Sequence, residues 1–307
     1  MHRKLPILFA LALSLAARTA LADDAKPHVH PTAGSDEGSA VPTHQKHNLD
    51  AKKPKLHGKM VSLKTGAGNT KAYAARPKGE AKGAVLVLHE WWGLNDWVKH
   101  QADQLAEHGY LALAVDLYKG KLAKDPKTAG ELMKGLDEAH GDRVEEAAIE
   151  WLKNNASSPK VATIGWCMGG GQSLRASLHD AKDVSATVIY YGMPVTEVAE
   201  LKKLQGPVLG IWANKDGWIT PEVVAKFDAA LTEAGVKHEF HAYDADHAFA
   251  NPSNGEKYKS EFADEAWKHT LAFLDAAMSG EKKAGEGSGT DATSGAETGK
   301  GSGSETK

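Results

Sequence analysis

One cysteine, Cys167, stands in 307 residues. No disulfide can close within such a chain, so a small cross-linked scaffold is excluded. No Lys/Arg stripe runs through the periodic segments, and 37 basic residues against 40 acidic ones leave a formal charge of −3. That balance lacks the electrostatic footprint of a nucleic-acid binder. The apolar run at 5–17 is too short to span a bilayer comfortably. No repeat of fixed period appears, which excludes a solenoid. From 279 to 307 there is no aromatic residue and no aliphatic larger than alanine. Such a segment cannot offset its ordering entropy by burial, so it reads as a disordered tail.

What is present is sufficient for a substantial core, since 41% of the residues are hydrophobic. The basic start His2-Arg3-Lys4, the apolar run and Ala20-Leu21-Ala22 together read as an export signal over 1–22. The expected location is therefore periplasmic or secreted. No cysteine follows the cleavage point, so neither a lipid anchor nor any other stable membrane anchor is expected. Residues 23–55 carry Pro27, Pro31, Pro42 and Pro54 with His28, His30, His44 and His47, and show no hydrophobic period. They read as a disordered linker, and their histidines lack the fixed spacing of a metal site. The globular domain is expected over 56–278, acting as a monomer.

Within that domain strand and helix patterns alternate. Strands are predicted at 59–65, 71–76, 84–89, 111–117, 161–165, 187–191, 208–212 and 238–243, the first two as an edge hairpin. Helices are predicted at 98–108, 127–138 and 142–154, then from 169, 221 and 261. This order predicts an α/β class with a mostly parallel central sheet flanked by helices on both faces. In such a sheet the chemistry gathers at the carboxyl edge.

The sharpest local signal is Gly165-Trp166-Cys167-Met168-Gly169-Gly170 directly after a strand. It has the G-x-nucleophile-x-G form of a strand-to-helix elbow, where glycines admit a close strand–helix approach. The helix N-terminus then favours thiolate over thiol. A phosphate-binding loop would need Lys-Ser/Thr after the glycines, and none is there. The expected base is His247, just past the last strand, and the expected third member is Asp216, past the strand before it. Asp244 and Asp246 compete for that role but lie too close in sequence to face the ring easily. The order nucleophile, acid, histidine is that of the α/β-hydrolases. Backbone N–H groups of Trp91 and Met168 are the expected oxyanion donors. Trp91, Trp92, Trp166 and Trp218 suggest an apolar or aromatic acyl pocket. Glu90, at the buried end of a strand, is unusual because carboxylates are seldom buried without a partner. His89-Glu90 is not a zinc motif, since Gly93 stands where a second histidine is required.

HEWWGLN, GYLALAVDLY, GWCMGGG, the D-G-W-I-T-P loop and DHAFANP together resemble the dienelactone hydrolases (carboxymethylenebutenolidases) of the α/β-hydrolase superfamily. The resemblance covers about residues 57 to 277. It implies a Cys167–His247–Asp216 triad, a thioester acyl-enzyme, and a role for Glu90 against the resting thiol. It also implies a small ester or lactone as substrate and no metal or organic cofactor. One departure concerns recognition. Members acting on dienelactones hold a substrate carboxylate with arginines, whereas residues 119–130 here offer only lysines, and Asn251 stands at the second position within the expected pocket. Carboxylate recognition is thereby weakened. The competing expectation is a non-catalytic ligand-binding protein on a hydrolase fold. A metal-binding protein using the histidine-containing linker and Cys167-Met168, for a metal such as copper, is the remaining one.

Overall fold

The computed structural model describes residues 54–66 and 68–279. The expected export signal, most of the linker and all but the first residue of the tail lie outside those residues. Eight strands form one sheet: β1 (Lys59–Thr65), β2 (Gly68–Ala75), β3 (Ala84–Leu88), β4 (Leu111–Val115), β5 (Val161–Trp166), β6 (Val184–Tyr190), β7 (Val208–Ala213) and β8 (His238–Tyr243). Their spatial order is β1-β2-β4-β3-β5-β6-β7-β8. The first two form an antiparallel hairpin, β2 also runs antiparallel to β4, and all later pairings are parallel. The helices are α1 (Asp96–Glu107), α2 (Pro126–Lys134), α3 (Glu138–Asn155), α4 (Met168–His179), α5 (Val198–Leu201), α6 (Pro221–Ala234) and α7 (Ser260–Met278).

The central strands are apolar throughout because helices cover both faces. Every residue of β3, β4, β5 and β7 is buried. In β3 the alternation of side chains sends Val85 and Val87 to the face covered by α1 and α7, against Val98, Leu105 and Leu274. Leu86 and Leu88 point the other way, onto Val144, Ala148 and Leu152 of α3. Short polar residues set the helix ends. Asn95 caps α1 by accepting from the Val98 N–H at 3.1 Å, and Gly235 closes α6 in the left-handed conformation at φ 74°.

The largest boundary differences from the sequence expectation fall at the junction of α2 and α3. The predicted helix 127–138 ends at Lys134, capped by Gly135, and α3 begins at Glu138 rather than 142. Asp137 explains this, since its carboxylate accepts from the Ala139 N–H at 3.1 Å and starts a new helix. The four-residue α5 and the 3₁₀ turn Pro252–Lys257 were not expected, being too short to show a hydrophobic period. Among the described residues no helix is long and apolar enough to cross a membrane.

Candidate active site

The parallel strands all point their carboxyl ends to one edge, and the chemistry-bearing residues leave the sheet there. Glu90 follows β3, Cys167 follows β5, Asp216 follows β7 and His247 follows β8. Cys167 occupies the turn into α4 with φ 55° and ψ −120°, a conformation that costs an L residue about 1–3 kcal/mol. Hydrogen bonds pin this elbow on both sides. The Cys167 N–H donates to the Tyr190 carbonyl at 3.0 Å, and the Cys167 carbonyl accepts from Gly170 N–H at 3.0 Å. Close packing explains the flanking glycines. A β-carbon at Gly165 would overlap the Gly169 carbonyl, and one at Gly169 would strike the carbonyls of Leu88 and His89. The strained turn thus leaves the sulfur half-buried above the sheet edge.

His247 and Asp216 meet because the loops after β7 and β8 are bonded together. Asn214 N–H donates to the Tyr243 carbonyl at 2.8 Å and Lys215 N–H to the Ala245 carbonyl at 3.0 Å. The imidazole Nδ1 then lies 2.5 Å from Asp216 Oδ2. The other carboxylate oxygen accepts from the backbone N–H groups of Trp218 at 2.8 Å and Ile219 at 3.1 Å. Burial raises the Asp216 pKa, but the hydrogen bond and charge of His247 and the two N–H donors outweigh it. The carboxyl therefore sits below its usual range. Burial also opposes charge on His247, but its interactions with Cys167 and the Asp216 carboxylate together push the ring up to about 10. Nδ1 faces the carboxylate, so Nε2 is the ring nitrogen left for Cys167. Asp244, one of the two rival carboxylates, pairs with Lys215 at 3.0 Å instead.

Glu90, Trp91, Trp92, Cys167, Trp218, His247, Ala248 and Asn254 line one cleft with about 260 Å³ of atom-free space. A larger hollow of about 510 Å³ between α6 and strands β7 and β8 contains no residue of this group. Glu90 is fully buried in the cleft wall and accepts from the Asn251 amide at 2.6 Å through Oε2, while Oε1 has no partner. Burial pushes its carboxyl up to about 7 against the Asn251 hydrogen bond and the His247 charge. Neighbouring His89 is structural. Its Nδ1 lies 2.6 Å from the Glu90 carbonyl and its Nε2 accepts from Leu117 N–H at 3.2 Å. Met168 is the first residue of α4, where helix geometry leaves the N–H unpaired, and the Trp91 N–H has no hydrogen-bond partner among the described residues.

Two expected pocket residues lie elsewhere. Trp166 is only 1% exposed and packs in the core between Trp97 and Tyr190, because β5 alternation turns it away from the edge that Cys167 faces. Asn251 is fully buried behind Glu90 and does not reach the cleft. Tyr191 and Asn254 were missed. The Tyr191 ring packs 5.2 Å from the His247 ring, and Asn254 donates to the Ala248 carbonyl at 2.8 Å. Only backbone strain marks this surround, since Tyr191 (φ 37°) and Ala248 (φ 63°) share the positive φ of Cys167. No sequence pattern announces it.

The family model described as the dienelactone hydrolase family matches residues 70–278. The chain is 32% identical over 226 residues to "Protein usf" of Aquifex pyrophilus, covering 71% of this chain and 97% of that protein. It is 32% identical over 228 residues to the "Putative carboxymethylenebutenolidase" of Aquifex aeolicus (strain VF5), again covering 71% and 97%. Among solved structures, a "Putative Dienelactone Hydrolase" from Klebsiella pneumoniae superposes with a TM-score of 0.65 at 26% identity, covering 72% of this chain and 99% of that one. A matched family model over most of the chain, with relatives aligned over nearly their full length, establishes that this chain belongs to the dienelactone hydrolase family.

Proposed function

We propose that this hydrolase cleaves small carboxylic esters or lactones with Cys167 as nucleophile, His247 as general acid and base, and Asp216 as the residue that orients and charges the imidazole. The observation that carries the reading is the 2.5 Å His247–Asp216 contact in the same cleft wall as the strained Cys167 elbow. The reacting pair is thiolate and imidazolium. Sulfur attacks the carbonyl carbon, a C–S bond forms, and the carbonyl electron pair moves onto oxygen. The N–H groups of Trp91 and Met168 receive that oxyanion. Collapse breaks the C–O bond, and the departing alkoxide takes the His247 proton. Neutral His247 then removes a proton from water as the water oxygen attacks the thioester. Loss of thiolate releases the acid and restores the ion pair. Glu90, with a carboxyl that titrates near neutrality, accepts the proton of Cys167 whenever the sulfur rests as thiol.

Cys167→Ala is expected to lower kcat/KM on a small aryl ester by about a thousandfold or more, as loss of a triad member does. A variant that deacylates slowly should carry the acyl mass on the Cys167 peptide. Turnover that survives the alanine substitution unchanged removes the reading.

A further inference from the structure

We infer that the cleft selects esters whose acyl part carries no negative charge, and that Glu90, held by Asn251, is the residue that imposes this selection. The inference rests on the hydrolase reading above and deepens it to a substrate class.

Charge supply is the first observation. Among the described residues no lysine or arginine lines the cleft. The three described arginines are all committed elsewhere: Arg76 to Asn155 Oδ1 at 2.9 Å, Arg143 to Asp137 at 3.8 Å, and Arg175 to Asp142 at 2.7 Å. Lys215, on the loop that carries Asp216, points to Asp244 at 3.0 Å. The cation that remains at the cleft is the His247 ring, and it already answers Cys167 and Asp216.

The second observation is how Glu90 is held. Asn251 Oδ1 accepts from the Ser253 N–H at 2.9 Å, which fixes the amide so that its NH₂ faces Glu90. A neutral donor thus satisfies one carboxyl oxygen and brings no countercharge, and the other oxygen is left without a partner. A substrate carboxylate entering here would lose its water beside a thiolate and a glutamate, with no ion to pair with. That is the arrangement in which a buried charge is most costly. The remaining walls are the indoles of Trp91, Trp92 and Trp218, which suit an uncharged apolar or flat acyl group.

The test compares p-nitrophenyl hexanoate with the p-nitrophenyl half-ester of adipic acid, two acyl chains of equal reach that differ by one negative charge. At about pH 8, where the Glu90 carboxyl is ionised, kcat/KM is expected to favour the hexanoate by about 100-fold, the scale of an unrelieved like-charge contact. Glu90→Gln should shrink that ratio about tenfold, whatever it does to either rate alone. A wild-type ratio near one overturns the inference, and an unaltered ratio in the glutamine variant removes Glu90 from it. A binding arm separates this failure from failure of the hydrolase reading. Phenylacetamide and phenylacetate are titrated into the Cys167→Ala protein by tryptophan fluorescence. Tighter binding of the amide, by about tenfold or more, supports the inference even if neither ester is turned over, and equal binding overturns it.

Discussion

Position in the chain is a poor guide to what a tryptophan does here. Trp166 adjoins Cys167 in sequence yet lies in the core, while Trp218 is 45% exposed and stands with its ring 5.4 Å from His247. The two should separate cleanly on truncation. Trp166→Ala is expected to destabilise the fold by about 3–5 kcal/mol, as loss of a large core aromatic does. Trp218→Ala should leave the melting temperature nearly unchanged and raise KM for an aryl ester roughly 2- to 10-fold, the worth of one aromatic contact. Thermal melts beside steady-state kinetics check both. The reverse pattern would return Trp166 to the pocket. A strand alternates its side chains between faces, but sequence adjacency does not reveal which residue of the pair meets the edge.

At the scale of the element, the β5–α4 junction shows how a short motif becomes a site. The glycines of G-W-C-M-G are required by contact distances, because backbone carbonyls occupy the space that β-carbons would fill. Gly165→Ala is therefore expected to cost about 3 kcal/mol or more, by overpacking against an immovable backbone. Gly130, inside α2, has open space around its α-carbon. Gly130→Ala should stabilise by about 0.5–1 kcal/mol through helix propensity alone. Chemical denaturation of the two variants distinguishes a glycine needed for close approach from one that is merely tolerated. The elbow was legible in sequence because its demand is local. The α2–α3 break was misjudged because capping by Asp137 competes with a hydrophobic period that runs through it.

For the whole molecule, two carboxyls buried far apart set the pH response. Glu90 is pushed up to about 7, and Glu145 of α3, fully buried with neither oxygen bonded, is raised well above the usual range, in both cases chiefly by burial. An acid whose folded pKa is raised holds its proton longer in the native state. Its stabilising contribution is full below the unfolded pKa near 4.5 and is lost as pH rises through the folded value. Asp216 acts oppositely, contributing above about 3.8 and losing that contribution as acid protonates it. Native stability is thus expected to decline from about pH 4.5 through neutrality because of the two glutamates. A Glu90→Gln/Glu145→Gln protein should show a flatter profile over that range, measured as denaturation midpoint against pH. A profile with the wild-type slope would mean that neither group is held neutral in the fold.

The sequence by itself determined the alternation of strands and helices, the hairpin edge, the elbow around Cys167 and the chain order of sulfur, carboxylate and imidazole. Each is a local demand, written in hydrophobic period, close-packed glycine or turn chemistry. It also preferred Asp216 to Asp244 and Asp246, because a carboxylate adjacent to a histidine in the chain cannot readily turn to face it. Only the tertiary structure decided that Asn251 serves Glu90 rather than the substrate, that Trp166 belongs to the core, and that Tyr191 backs the His247 ring. Those outcomes depend on which loops meet across the sheet edge. Residues brought together over 161 positions of chain, as Asn251 and Glu90 are, leave no periodic trace of their contact.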